Sequence, residues 1–337
     1  MAALYSILNR KGEIQVIGWI PYWDQDNAFQ SFKKNVSKID YVSVFWYRID
    51  ENGKLGAYKG VIQDKSVIDF AHKNGVLVLA LVANLSETGD GNWDYQRVDK
   101  VISTKEARSE HIRDLIKLVE KNDFDGIDID YESLKASQRE NFSLFIEELS
   151  KELHKKNRIL GVAIHPKTSE DNPLEDNGSH AQDLRRIARY ADQLYFMTYL
   201  EHGAFSEPGP IGSLSWMEQV IAYGLTQVPR QKAYLGIGLM GAQWSKRDGG
   251  TFIASDSEMS FLDVLSTARE NNLTPIWDDK SKTPYLEFTT NETDNIVWFE
   301  NAESIKLRVN LAEKLRVGGV AFWRFGGEDE RIWRLFN

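Results

Sequence analysis

The 337-residue sequence contains no cysteine, which excludes disulfide bonds, thiol catalysis and cysteine-ligated metal sites. It has no apolar run long enough to span a bilayer, since the longest one covers only residues 76–83. Aspartate and glutamate outnumber lysine and arginine by 50 to 41, and the net charge of −9 argues against a nucleic-acid or anionic-membrane partner. No secretion signal follows Met1, so we expect any export signal or anchoring module to lie outside these residues. The composition favours a neutral or cationic ligand.

Aromatic residues, in contrast, are plentiful. There are 10 tryptophans, 13 tyrosines and 16 phenylalanines. Flat apolar rings with polar edges suit sugar-binding clefts, although they also fill protein cores. Composition therefore gives a sugar ligand a slight preference.

Apolar stretches alternate regularly with stretches of helical spacing along the chain. The run at 76–83 is apolar on both faces, as expected of a parallel strand that is covered on both sides. Eight such strands alternating with helices indicate a (β/α)8 TIM barrel, an α/β fold. The predicted strands cover residues 15–20, 41–47, 76–83, 123–132, 159–165, 193–199, 233–239 and 318–323.

The segment at about 243–298 does not follow this rhythm. It contains one helical stretch, at about 259–271, and strand-like pieces near Trp277 and Tyr285. We interpret it as a small α+β insertion between the seventh strand and its helix, within a single domain covering residues 1–337. An insertion at this point would lie at the C-terminal rim of the barrel, beside any active site.

Three acidic residues recur at every second position near the end of the fourth predicted strand, in the sequence Asp-Gly-Ile-Asp-Ile-Asp-Tyr-Glu at 125–132. Because alternate side chains of a strand face opposite sides, Asp128, Asp130 and Glu132 share one face. Carboxylates about 6–7 Å apart on a buried strand repel one another and lose hydration, which costs free energy. Such a row indicates a functional site.

The position of the row suggests roles for its members. Catalytic groups of barrels lie where the strands end, so Glu132, the last of the row, is best placed to reach a substrate. The neighbouring carboxylates would raise its pKa and make it a proton donor, while Asp128 and Asp130 share a proton. Two other interpretations stay open on spacing alone, namely a divalent-metal site and a salt-bridged strand end.

The pattern Asp125-x-x-Asp128-x-Asp130-x-Glu132 resembles the Asp-x-x-Asp-x-Asp-x-Glu motif of glycoside hydrolase family 18, the chitinases and their relatives. Further similar blocks follow in order at 80–84, 197–199 and 322–324, on the third, sixth and eighth predicted strands. The segment 201–229 resembles the branch of bacterial spore-cortex-lytic and germination hydrolases, which cleave at N-acetylglucosamine. The resemblance covers roughly residues 14–330.

The resemblance implies a retaining mechanism in which the substrate supplies the nucleophile. Residue by residue, it implies that Glu132 protonates the glycosidic oxygen and that Asp130 accepts the acetamido N–H and stabilises a cyclic oxazolinium. It implies further that Asp128 supports Asp130, that Tyr199 hydrogen-bonds the acetamido carbonyl, and that Trp323 forms the floor under a distorted sugar. No cofactor or metal is expected.

Other residues are weaker candidates for substrate binding, and for several of them core or rim packing is an equal alternative. They are Asp125, Met197, Trp46, Asn84, His165, Glu201, Trp244 and Trp277. Two departures from the family pattern remove polar groups from near the expected site. Leu200 stands where the family usually has aspartate, and Met240 stands where related enzymes tend to have tyrosine.

The sequence thus predicts a monomeric glycosidase acting on peptidoglycan or chitin, N-acetylglucosamine polymers, outside the cell, at the cell wall or the spore coat. A different class of function remains open, namely a chitinase-like carbohydrate-binding protein with weak or no turnover. Such proteins usually lose the catalytic glutamate, and Glu132 is present. A metal-dependent hydrolase is the third hypothesis, although the sequence shows no histidine cluster near the acids.

Overall fold

The computed structural model describes residues 14–87, 92–170, 178–199, 201–247, 250–255 and 258–336. In chain order its strands are β1 (Gln15–Pro21), β2 (Tyr41–Ile49), β3 (Leu55–Ala57), β4 (Leu77–Ala83), β5 (Gly126–Asp130), β6 (Ile159–Ile164), β7 (Gln193–Phe196), β8 (Ala233–Gly238), β9 (Gly241–Arg247), β10 (Ile253–Ala254), β11 (Ile276–Asp278), β12 (Thr283–Thr290), β13 (Thr293–Phe299) and β14 (Gly319–Trp323). Its α-helices are α1 (Gln25–Asn35), α2 (Lys65–Lys73), α3 (Tyr95–Ile102), α4 (Lys105–Asn122), α5 (Arg139–His154), α6 (Leu184–Tyr190), α7 (Leu214–Gly224), α8 (Phe261–Glu270) and α9 (Ala302–Leu315). Among the helices of these ranges, none combines the length and the apolar character needed to cross a membrane.

Eight parallel strands close into a barrel in the order β1-β14-β8-β7-β6-β5-β4-β2, and β2 pairs back to β1. Helices connect successive barrel strands and pack around the outside. The predicted (β/α)8 TIM barrel is therefore confirmed. The short strand β3 pairs antiparallel with β2, a hairpin that the sequence did not predict.

The barrel strands sort their side chains into two cores. Along β4, Val78 and Val82 pack toward the helices, whereas Leu79 faces the barrel interior. Along β5 the outward positions belong to Ile127 and Ile129, so the aspartates at 128 and 130 point inward. The two-residue period of the strand is what brings the acids into the barrel.

The N-terminal end of the barrel is filled by a hydrogen-bonded layer of aromatic and amide side chains. Gln193 donates from Nε2 to the Tyr234 hydroxyl at 2.9 Å, and the Tyr195 hydroxyl donates to Gln193 Oε1 at 2.5 Å. The Tyr234 hydroxyl donates in turn to Gln15. Because this layer blocks the N-terminal end, which we call the lower end, the interior opens toward the C-terminal ends of the strands.

A second, antiparallel sheet has the order β10-β9-β13-β12-β11 and packs against α8 around Val264, Leu286 and Val297. It spans Gly241–Phe299 and lies in the chain between β8 and α9. Arg308 of α9 fastens this sheet to the barrel. Its buried guanidinium lies 2.8 Å from Glu300 and donates to the carbonyl oxygens of Lys282 and Gly212 at 3.1 and 2.8 Å.

Candidate active site

Asp128 lies fully buried inside the upper part of the barrel. Its Oδ2 accepts hydrogen bonds from Trp19 Nε1 on β1 and from Ser43 Oγ on β2, each at 2.8 Å. Burial raises the pKa of Asp128 to about 6, while the two hydrogen bonds lower it. Donors from across the barrel therefore fix the orientation of this carboxyl group.

Asp130 and Glu132 form a coupled pair of carboxyl groups joined by a hydrogen bond. Burial raises the pKa of Asp130 well above its ordinary range, and the charges of Glu132 and Asp128 raise it further. Burial raises the pKa of Glu132 to about 8, and the hydrogen bond with Asp130 opposes that rise. Because two like charges in contact are unfavourable, the pair retains a proton at neutral pH.

Exposure distinguishes the members of the row. The Glu132 side chain keeps 15% of its surface exposed, whereas Asp128 keeps 0%. Glu132 follows two residues after β5 ends, at the open end of the barrel. It is therefore the carboxyl group that a molecule entering the barrel can reach.

Asn84, directly after β4, fixes the backbone at Glu132. The Glu132 N–H donates to Asn84 Oδ1 at 2.8 Å, and Asn84 Nδ2 donates back to the Glu132 carbonyl at 2.9 Å. Since β5 ends at Asp130, this reciprocal pair takes the place of strand pairing. Asn84 was a candidate for the cleft wall. Its side chain is fully buried and instead holds the backbone of Glu132.

His165 follows β6 and lies beside Glu132, with its Nε2 3.7 Å from Glu132 Oε2. Burial lowers the pKa of His165 to about 3, so the ring is neutral. In the part of the chain that the structure describes, neither ring nitrogen has a hydrogen-bond partner.

Tyr199 and Trp323 stack near the carboxyl groups, with ring centroids 6.5 Å apart and planes inclined by 17°. Burial raises the pKa of Tyr199 well above its ordinary range, and the negative charges of Asp130 and Glu132 raise it further. Gly236 makes room for this ring, because a Cβ there would lie 3.0 Å from Tyr199 Cε1 and 2.1 Å from a backbone carbonyl oxygen. The two rings and the acids thus share one cleft.

Glu258 lies between β10 and α8, in the part of the chain that forms the second sheet, and its side chain reaches the cleft. Trp323 donates from Nε1 to Glu258 Oε1 at 3.0 Å, and Arg324 donates from Nε to Glu258 Oε2 at 3.1 Å. Arg324 also donates to Asp24, after β1, at 2.5 Å. This network fixes the indole plane of Trp323.

Sequence reasoning missed four contributors to the cleft. Trp19 and Ser43 hold Asp128, Glu258 holds Trp323, and the half-exposed Trp23 lies 6.2 Å from Trp323 between ring centroids. Ser43 carried a signal, since it is the only small polar residue in an otherwise apolar and aromatic run at 41–47. Glu258 carried none, because its partner is 65 residues away in the sequence.

The expectation that Trp46 lines the cleft is wrong. Ser43 and Phe45 face the barrel interior, so Trp46 faces outward. It packs among the residues between barrel and helices and donates from Nε1 to Gln25 at 2.6 Å.

The expectation that Asp125 binds substrate is also wrong. Asp125 precedes β5, at the N-terminal end of the strand and therefore opposite the cleft. Its Oδ2 accepts the backbone N–H of Val78 at 2.8 Å and lies 2.8 Å from His72 Nε2. Asp125 therefore ties β5 to β4 and α2.

The remaining candidates lie in different surroundings. Trp244 is fully buried and donates to the Ser206 carbonyl at 3.2 Å, which contradicts a role in the cleft wall. Glu201 accepts from the Ser213 hydroxyl at 2.9 Å, so its carboxylate supports the start of α7 instead of facing a ligand. Met197 is buried directly after β7, and Trp277 is half-buried in β11.

Of the two departures from the family pattern, Leu200 lies outside the described residues, and Met240 is half-buried directly before β9. Over the described ranges, no group of three or more histidine, aspartate or glutamate side chains is arranged to hold a metal ion.

Comparisons with known proteins agree on one family. The profile of Glycosyl hydrolases family 18 matches residues 15–328. An uncharacterized glycosylase, YvbX of Bacillus subtilis, is 25% identical over 99% of this chain and 95% of its own length. The cortical fragment-lytic enzyme of B. subtilis is 23% identical over 93% of this chain and 70% of its own. The crystal structure of a chitinase from Chromobacterium violaceum superposes with a TM-score of 0.85, at 25% identity, over 96% of this chain and 97% of its own.

Proposed function

This chain belongs to Glycosyl hydrolases family 18 and is a glycosidase, and from that premise we propose that it hydrolyses β-1,4 linkages at N-acetylglucosamine in peptidoglycan or chitin, with retention of configuration. The names of its relatives support this class of substrate, since they include a cortical fragment-lytic enzyme and a chitinase. The same names support action outside the cell, at the cell wall or spore coat.

The observation that carries the proposal is the partly exposed carboxyl group of Glu132 beside two further buried carboxyl groups. A general acid at neutral pH needs a pKa near or above 7, and burial raises the pKa of Glu132 to about 8. Glu132 is the most exposed member of the row. In the proposed first step Glu132 gives its proton to the glycosidic oxygen as the bond to the sugar's anomeric carbon breaks.

The substrate's acetamido oxygen attacks that carbon from the other side and closes a cyclic oxazolinium. Asp130 accepts the acetamido N–H and faces the developing positive charge, and Asp128 supports Asp130 from below. Tyr199 donates its hydroxyl to the acetamido carbonyl, which its closeness to the carboxyl groups favours. Water then opens the oxazolinium and returns a proton to Glu132, so configuration is retained.

Trp323 is proposed as the floor of the cleft under the reacting sugar. Its indole stacks with Tyr199 and is fixed through Nε1 by Glu258. A flat apolar surface held in one orientation can support a sugar ring in a distorted conformation.

The test compares the parent with Glu132→Gln on muropeptides and on chitooligosaccharides side by side. The amide keeps the shape of the side chain but cannot give a proton, so the rate should fall by about 10² to 10⁴ while sugar binding persists. Glu110→Gln, a matched change at an exposed position of α4, should leave the rate unchanged. NMR of the first-formed product should show the anomeric configuration of the substrate.

Three outcomes would contradict the proposal. They are a Glu132→Gln rate within threefold of the parent, an inverted first product, or a parent protein that binds both sugars without cleaving either. The last result would favour a carbohydrate-binding protein.

A further inference from the structure

His165 is a buried histidine that the mechanism above does not use. Its imidazole is neutral, and within the described ranges both ring nitrogens lack a hydrogen-bond partner. Buried polar groups are almost always paired, so an orphaned one needs an explanation. The Glu132 carboxyl group lies beside the ring, with its Oε2 3.7 Å from His165 Nε2.

We propose that His165 is a positioning residue that donates its Nε2–H to the Glu132 carboxylate formed after proton transfer, and so keeps that carboxylate available as the base of the second step. The inference rests on the proposed function and adds a residue to it. The proposed role requires the Nε2–H tautomer of the neutral imidazole, because Nε2 is the nitrogen that faces Glu132.

The surroundings of His165 hold the ring in place. Its backbone N–H donates to Gln182 Oε1 at 2.8 Å, and Gln182 Nε2 donates to the Ala163 carbonyl at 2.9 Å. Gly178 lies against the ring, since a Cβ at that position would be only 3.0 Å from both Nε2 and Cδ2. The backbone hydrogen bond to Gln182 and the close approach of Gly178 to the Nε2 edge thus hold the ring beside Glu132.

The distance also fits a bond that forms during turnover. Before catalysis Glu132 is protonated and hydrogen-bonded with Asp130, and a gap of 3.7 Å to His165 is too long for a hydrogen bond. A shortening of about 0.8 Å would bring the two atoms into bonding range. Catalytic hydrogen bonds commonly tighten in this way once substrate is bound.

The second step explains why such a donor is useful. A carboxylate with a pKa of about 8 would recapture a solvent proton at pH 7 and could not then accept one from water. A hydrogen bond to the charged form lowers that pKa during the lifetime of the oxazolinium. Of the other groups beside Glu132, Tyr199 is neutral, and the hydrogen bond with Asp130 lowers the pKa of Glu132 only until Asp130 turns to the acetamido N–H in the proposed first step.

The experiment measures pH profiles of His165→Leu and His165→Gln with an aryl N-acetylchitooligosaccharide whose good leaving group makes the second step limiting. Leucine cannot donate, so the acidic limb of kcat should move up by about one pH unit and kcat at pH 6 should fall about tenfold. The kcat/KM profile reports the free enzyme, in which no bond exists, and should stay within about twofold of the parent. Glutamine places an N–H near Nε2 and should keep the acidic limb within about 0.3 units.

His154→Leu, a histidine change at the outer end of α5, serves as the control and should match the parent in both profiles. If His165→Leu does not fold, as judged by its melting temperature, His165→Asn replaces it, because that amide is polar but too short to reach Glu132. An unmoved acidic limb in either variant, with Glu132→Gln still inactive, would overturn the role of His165 alone. An active Glu132→Gln would overturn the proposed function itself.

Discussion

At the scale of single residues, the acidic row that we propose to be catalytic also opposes folding. Burial raises the pKa values of Asp128, Asp130 and Glu132 because their charged forms lose hydration in the barrel. A group whose pKa is raised by folding binds more protons in the native state than in the unfolded state. The site should therefore cost the fold stability as the pH rises.

Glu132→Gln should stabilise the protein, and increasingly so at higher pH. From its ordinary pKa of 4.5 to about 8, native Glu132 holds a proton that the unfolded chain has lost, so the free energy of unfolding falls through this window. Below 4.5 the glutamine and the neutral acid are nearly equivalent. We expect little gain at pH 4.5 and a gain that grows toward pH 8 by up to about 1.4 kcal/mol per pH unit, measured by denaturant unfolding.

Glu110→Gln in the same pH series provides the baseline for an exposed glutamate. A stability difference that stayed constant from pH 4.5 to 8 would show that Glu132 is not desolvated in the native state.

Whether a site residue could be predicted from the sequence depended on whether its partners lie nearby in the sequence. The alternation of Asp128, Asp130 and Glu132 is visible in a few consecutive residues of the sequence. The strand that leads to them lies where it was predicted. Trp19 is 109 residues from Asp128 in the sequence, and only closure of the barrel brings the two together. No periodicity in the chain could reveal that contact.

At the scale of elements, the eight barrel strands were predictable because each is a short apolar run between helices of clear spacing. The predictions failed at two points, namely where a strand ends and which face of a strand a residue occupies. β5 stops at Asp130, and Asn84 completes it by side-chain hydrogen bonds that no strand pattern describes. Trp46 was a candidate for the cleft wall, but the structure shows Ser43 facing inward, which puts Trp46 on the opposite face of the same strand.

Glu258→Ala should weaken sugar binding more than it weakens the fold. The carboxylate accepts from Trp323 Nε1 and Arg324 Nε, and losing it frees the indole to turn. The ion pair is partly exposed, so the free energy of unfolding should change by less than about 1 kcal/mol. A floor displaced by about 1 Å should lower kcat/KM by roughly tenfold to a hundredfold.

Titration calorimetry with a chitooligosaccharide, using variants in a Glu132→Gln background, checks this expectation. Glu258→Gln keeps an acceptor for Trp323 Nε1 and should bind within about threefold of its parent, because only the charge is lost. Equal affinities for Glu258→Ala and its parent would show that the second sheet does not help to fix Trp323.

At the scale of the whole molecule, the shape of the barrel and the net charge both bear on access to the cleft. The closed lower end of the barrel leaves the acids facing one opening. The net charge of −9 gives the molecule as a whole a negative field that reaches about a Debye length into solution. This field acts differently on neutral chitooligosaccharides and on muropeptides, whose stem peptides carry carboxylates.

Salt should therefore accelerate hydrolysis of muropeptides and leave hydrolysis of chitooligosaccharides nearly unchanged. Raising ionic strength from about 0.01 to 0.15 M shortens the Debye length from about 30 to 8 Å, which removes long-range repulsion between like charges. At substrate concentrations below KM, we expect kcat/KM on muropeptides to rise by about threefold or more, and on neutral oligomers by less than about 1.5-fold. Muropeptides with amidated stem carboxylates are the matched control and should follow the neutral oligomers. If the anionic muropeptides lost rate with added salt, a local cationic site would have to attract them, and the acidic surface would not govern access to the cleft.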